Sequence, residues 1–81
     1  MNNNSYIGEC VICRQGRLEI LKEKETGKLF IYCEECEAEW ETPQDALINQ
    51  NGSCFKYGLA ESAPLKDIKK AGWFSYITER P

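Results

Sequence analysis

Four of the five cysteines fall into two pairs of the same spacing, Cys10-Val11-Ile12-Cys13 and Cys33-Glu34-Glu35-Cys36. Two intervening residues let both sulfurs of a pair reach one ion. The 19 residues between the pairs, Arg14 to Tyr32, fall within the spacing of a four-cysteine zinc site. Four thiolates would give a closed tetrahedral site with Zn–S of about 2.3 Å. Such a site leaves no open position for water or substrate, so the predicted role of the metal is structural. Iron held by four thiolates satisfies the same spacing. A thioredoxin-like redox pair fits less well. It needs one Cys-x2-Cys at the start of a helix in a βαβ unit, and neither pair sits in such a place.

The rest of the composition narrows the chemistry. The chain has 81 residues and no histidine. That excludes a mixed cysteine and histidine metal site, a Cys–His nucleophile pair and the commonest general base. No phosphate-cradling glycine loop is present either, and the expectation is a protein that is not an enzyme. The first five residues, Met1-Asn2-Asn3-Asn4-Ser5, have neither a basic region nor an apolar one. They read as a frayed polar end rather than a secretory signal. No apolar run approaches the roughly 20 residues that span a bilayer. A cytoplasmic location follows as an expectation, and disulfides become the wrong default. Cys54 is left over from the two pairs and reads as a small buried apolar residue. Lys56 close by in sequence does not by itself make it a reactive thiol.

The elements that must position the cysteines are legible in the hydrophobic pattern. Arg17–Lys24 reads as a strand with Leu18, Ile20 and Lys22 on one face. Glu25-Thr26-Gly27-Lys28 is a turn signal, and Leu29–Tyr32 is a β-rich run leading into Cys33. The two runs predict a hairpin with a cysteine pair at each end. After Cys36 the residues alternate. An extended segment would put Glu37, Glu39 and Glu41 on a wet face, with Cys36, Ala38 and Trp40 on a dry one. Thr42 is a candidate N-cap, Pro43 suits the first helical position and Asp45 suits the first turn. That helix is expected to run to Asn49 or Gln50 and stop at Asn51-Gly52. Ser53–Glu61 is ambiguous, with a short strand suggested around Cys54, Phe55 and Tyr57. Pro64–Ala71 predicts a second helix, with Gly72 as its left-handed stop. Trp73, Phe74, Tyr76 and Ile77 close the chain as an aromatic segment, either core or docking surface.

With "CVIC" and "CEEC" flanking a hairpin, residues 9–40 resemble the zinc ribbon family. The resemblance implies a metal-dependent fold with Cys10, Cys13, Cys33 and Cys36 as ligands. It does not fix a function, because zinc ribbons serve many. One departure concerns glycine, which often follows the second cysteine of such a knuckle closely. Here Gly16 comes three residues after Cys13, and no glycine follows Cys36. The expected fold class is small α+β in a single domain, 1–81. A zinc ribbon occupies 9–41, and a helical and aromatic subregion, 42–81, packs on it.

Charge bears on partners. The formal net charge is −3 and the sequence pI is about 4.9. Residues 1–45 hold ten acidic and five basic side chains, and residues 46–81 hold three and five. Four thiolates around Zn²⁺ add two negative charges to the first part. A nucleic-acid reader needs the opposite, a basic and aromatic face. An anionic surface suits a basic protein partner, since charge complementarity raises the on-rate and rejects wrong partners. The expected function is therefore a zinc-stabilised protein-protein interaction module with Glu37, Glu39, Trp40 and Glu41 facing the partner. One concrete form of it is an acidic inhibitor of immunity or antitoxin type. The alternative is a nucleic-acid-binding or transcription-accessory protein using Lys66, Lys69 and Lys70 with the C-terminal aromatics.

The cysteine count generates one test. Cys54→Ser is expected to keep one metal ion per chain, and Cys→Ser at any of the four paired positions to lose it. Metal analysis of the purified variants decides, and a lower metal content in Cys54→Ser would make Cys54 a ligand.

Overall fold

The computed structural model describes residues 5–48, 52 and 58–78. Cys54 and the short strand expected around it lie outside the described residues. The strands are β1 (Tyr6–Glu9), β2 (Arg17–Glu23), β3 (Leu29–Cys33), β4 (Glu39–Trp40) and β5 (Ala60–Ser62). Two short helices, α1 (Pro43–Ile48) and α2 (Leu65–Lys70), and a 3₁₀ turn at Phe74–Tyr76 complete the described elements. The result is a small antiparallel sheet with two helices, in the order β1-β2-β3-β4. β2 carries the assembly. Its first half pairs with β1 and its second half with β5, while its other edge pairs with β3 along its length.

The hairpin forms where the sequence places it. Gly27 takes φ +76° in the turn, a conformation that costs other residues energy and glycine little. Its N–H donates to the Glu23 carbonyl at 2.8 Å. The Thr26 hydroxyl donates to the Glu23 carboxylate at 2.6 Å and accepts from the Lys28 N–H at 3.2 Å. Alternation then sorts the strands. Leu18 faces Cys33 and Ile20 faces Ile31, and all four are fully buried. Trp40 extends that row beside Ile31. Ile7, Cys10, Ala38, Ala46, Ala63, Ile68 and Ile77 complete the cluster, with Trp73, Phe74 and Tyr76 packed partly buried against it. Burying each such large apolar side chain stabilises the fold by about 1.5–3 kcal/mol.

The helices sit where their caps predict. The Thr42 hydroxyl accepts the Asp45 N–H at 3.2 Å, and Pro43 opens α1. At the end of α2, Gly72 takes φ +79°. Its N–H reaches the Lys69 carbonyl, and the Trp73 N–H reaches the Ile68 carbonyl at 3.0 Å. This pair of bonds is a Schellman cap, which satisfies carbonyls the helix leaves open. Lys22, expected on the Leu18 face, ties α2 down: its ammonium lies 2.8 Å from the Asp67 carboxylate.

Three expectations need correction. Ser5 is not part of a frayed end. It is buried at 1% exposure, because its carbonyl accepts the Ile20 N–H at 3.0 Å and so starts the first strand pairing. The expected strand from Cys36 to Glu41 is reduced to Glu39–Trp40, because residues 34–36 turn and Glu37 takes φ +64°. Glu39 consequently leaves the wet face. It pairs opposite Tyr32 and is 6% exposed.

Glu39 belongs to a cross-strand row, Tyr6, Glu19, Tyr32 and Glu39, on the sheet face opposite Leu18. Glu19 is the other carboxylate buried among the described residues, at 6% exposure, and accepts a hydrogen bond from the Ser62 hydroxyl at 3.3 Å. Burial raises its pKa, the nearby Glu34 adds to the rise, and Ser62 and Arg17 oppose it. A carboxyl whose folded pKa is raised binds its proton more tightly when folded. The resulting penalty is absent below the unfolded pKa and grows as pH rises through the folded value. Glu19→Gln is therefore expected to stabilise the protein at neutral pH and to flatten the fall in stability between acid and neutral pH. Denaturation at several pH values checks this, and parallel curves for the two proteins would contradict it.

Candidate metal centre

The two cysteine pairs become two similar turns at the end of the sheet. In the first, the Cys10 N–H donates to the Gly16 carbonyl at 2.9 Å and the Arg14 N–H donates to the Cys10 carbonyl at 3.1 Å. In the second, the Cys33 N–H donates to the Ala38 carbonyl at 2.9 Å and the Glu37 N–H to the Cys33 carbonyl at 3.1 Å. The second turn closes one residue sooner. In each, the residue after the second cysteine is left-handed, Arg14 at φ +57° and Glu37 at φ +64°. This is the position where glycine eases such a turn, and here two residues with side chains adopt it.

The turns aim backbone N–H groups at sulfur. Ile12 N donates to Cys10 Sγ at 3.3 Å, and Gly16 N donates to Cys13 Sγ at 3.4 Å. Glu35 N and Cys36 N both donate to Cys33 Sγ at 3.4 Å. Donors of this kind favour the thiolate over the thiol. The N–H groups of Gln15 and Gly16 hold the Cys13 thiol down to about 6. Burial pushes the Cys33 thiol up to about 12 and also raises Cys36. The opposing shifts belong to sulfurs that share one small space.

All four sulfurs lie within 4.8 Å of one another. Two cross-turn distances, Cys10 to Cys36 and Cys13 to Cys33, are 3.7 Å each. A tetrahedron with Zn–S of 2.3 Å has S···S edges of about 3.8 Å. The donor set therefore fits a four-coordinate thiophilic cation. Cys10 and Cys33 are buried, whereas Cys13 and Cys36 are half-buried. The first cysteine of each turn thus belongs to the core, and the second packs partly buried against it. Arg17 links the turns further out, its Nε 3.1 Å from the Glu34 carboxylate and its guanidinium 4.0 Å from the centre of the Tyr6 ring. The pair is exposed, so its worth is about 0–1 kcal/mol.

The residues expected to face a partner separate. Glu37 and Glu41 are exposed, and Glu41 lies 3.9 Å from the Lys28 ammonium. Trp40 and Glu39 are buried, at 3% and 6% exposure. Glu34 and Glu35, on the tip of the second turn, are exposed as well. Sequence reasoning missed the close approach at Gly16. An ideal Cβ there would stand 2.7 Å from Cys33 Sγ. The only signal was a glycine at an unusual offset from a cysteine pair. Gly52 lies against the Trp40 ring, which an added Cβ would meet at 2.9 Å, and the end expected for that helix, Asn49 to Asn51, lies outside the described residues.

Compared with protein-family models, curated proteins and solved structures, the chain matches none. The site itself carries the functional argument. It also makes a stability prediction at the left-handed positions, where a side chain costs roughly 1–2 kcal/mol relative to glycine. Part of that gain is offset by the greater freedom of glycine in the unfolded chain. Glu37→Gly and Arg14→Gly are each expected to stabilise the metal-loaded protein by about 0.5–1 kcal/mol. Chemical denaturation measures it, and a destabilised variant would mean that the side chain contributes more than the backbone strain removes.

Proposed function

We propose that the chain is a zinc-binding protein of zinc ribbon type whose metal is structural, and that it acts as a protein-protein interaction module. The observation that carries the metal reading is the gathering of four cysteine sulfurs within 4.8 Å. Zinc is the natural occupant of four thiolates supplied by two Cys-x2-Cys turns. With all four positions taken by protein, no open site remains for water or substrate, and the chain has no histidine to serve as a base. Both points favour a non-enzymatic role. The free energy of zinc binding in small peptides, about 10–16 kcal/mol, equals or exceeds the whole net stability of an ordinary domain, about 5–15 kcal/mol. Metal binding on that scale would decide whether the N-terminal part folds at all.

The interaction reading rests on charge. Glu34, Glu35, Glu37 and Glu41 are exposed on or beside the second turn, next to a centre that is itself dianionic when zinc is bound. A basic protein is the complementary partner, and an inhibitor of immunity or antitoxin type is one form this takes. The nucleic-acid alternative has a weaker footing. Lys66, Lys69 and Lys70 are exposed on α2, but Asp67 sits among them, and the Lys69 ammonium lies 5.0 Å from the centre of the Phe74 ring.

Metal analysis and absorbance test the first part. A colourless protein with one zinc per chain supports it, and a coloured iron protein would replace zinc with iron. Capture of partners from the protein's own cells at low salt tests the second. A basic protein released by salt is the expected result, and recovered nucleic acid would favour the alternative. With the partner in hand, reversing Glu35, Glu37 and Glu41 to Lys is expected to weaken binding by about tenfold or more through the on-rate. The fold should persist, and unchanged affinity would leave these glutamates as an ordinary wet surface.

A further inference from the structure

We infer that Gly16 is the positioning residue of the metal centre, and that its bare Cα sets the size of the sulfur cage and hence its choice among thiophilic cations. The inference rests on the metal reading above. Gly16 touches three of the four sulfur-bearing residues. Its N–H donates to Cys13 Sγ at 3.4 Å. Its carbonyl accepts the Cys10 N–H at 2.9 Å. On its open side, an ideal Cβ would stand 2.7 Å from Cys33 Sγ and 2.8 Å from Glu35 Cβ. The first turn therefore meets the second through the one residue type that leaves room for the sulfur.

The requirement is for space and not for backbone freedom. Gly8, Gly27 and Gly72 take positive φ, and Gly16 is not among them. Nor does the hydrogen bond to the first cysteine of a turn demand glycine. Ala38 accepts the equivalent bond from Cys33 N–H at 2.9 Å and carries a buried methyl. What differs at Gly16 is the sulfur beside it. A methyl there must displace something, and the choices are few. Cys33 is fully buried and paired opposite Leu18 on β2. The backbone at Glu35 is held by its N–H bond to Cys33 Sγ. The strain passes to the position of Cys33 Sγ and the first turn, which widens the cage. A wider cage penalises a small ion such as Zn²⁺ more than a large one such as Cd²⁺.

The test uses the full chain, Gly16→Ala, and competition titrations of Zn²⁺ and Cd²⁺ against a chromophoric chelator. Zn²⁺ affinity is expected to fall by about tenfold or more, the range for residues that orient metal ligands. Cd²⁺ affinity is expected to fall much less, so the ratio of the two constants changes. The visible bands of the Co²⁺ form should shift with the distorted tetrahedron. An equal fall for both metals would make Gly16 a general packing position and overturn the inference, as would no fall. If wild type binds neither ion, it is the metal reading that fails. Should Gly16→Ala not fold with Zn²⁺, Gly16→Ala/Glu35→Gly removes the carbon contact and keeps the sulfur one. Folding of that variant with Cd²⁺ and not with Zn²⁺ supports the inference, and folding with neither, or equally with both, overturns it.

Discussion

Four sulfurs within 4.8 Å of one another are a constraint before they are a function. As thiolates they repel strongly at that separation, and as thiols they are weak hydrogen-bonding groups among apolar neighbours. A divalent cation at their centre converts the repulsion into attraction, and the backbone donors around Cys10, Cys13 and Cys33 are already oriented for the charged form. The sheet, the hairpin turn and the two cysteine turns all serve to bring these atoms together. Cys33 shows how closely the requirement is built into the fold. It is at once the last residue of β3, the neighbour of Leu18 in the core and an acceptor of two N–H bonds. A change at the sulfur is therefore a change in the strand pairing that the apolar core rests on.

Much of this was legible in the residues. The cysteine spacing gave the four-residue set, and alternation in Arg17–Cys33 gave the hairpin. Thr42-Pro43 and Gly72 marked real helix ends, since capping is local chemistry that a short stretch encodes. What could not be read depended on contacts far apart in sequence. β1 is a four-residue strand whose partner begins beyond the first cysteine turn. Alternation through Cys36–Glu41 pointed to a wet row of glutamates, but alternation is meaningful only while the backbone stays extended. Glu37 breaks that condition by turning left-handed, and the parity is lost with it. Glu39 then falls under tertiary control, opposite Tyr32, where no composition argument would place a carboxylate. Gly16 was visible only as an oddly spaced glycine. Its meaning lies in a sulfur 17 positions away.

The surface divides along the same lines. Acidic groups gather about the second turn and β4, while α2 carries three exposed lysines. The half-buried ion pair between Lys22 and Asp67 joins α2 to the sheet and takes one cation and one anion out of that balance. Of the exposed acidic groups at this end, Glu35 has its N–H on Cys33 Sγ and Glu37 has its N–H on the Cys33 carbonyl, while the Glu34 and Glu41 carboxylates face Arg17 and Lys28.

The hairpin has a kinetic consequence. β2 and β3 are joined by a tight turn, so their ladder closes with little loop entropy to overcome. Isolated hairpins form in about 1–10 μs. Because three residues separate Cys13 from β2 and Cys33 ends β3, zipping this ladder would carry the two cysteine pairs toward each other before an ion binds. The cation would then be captured by donors already assembled in part, acting as a latch on a nucleus rather than as its organiser. Sheet-edge strands β1 and β5 and helix α2 would join afterwards, on a ladder that the latch prevents from opening.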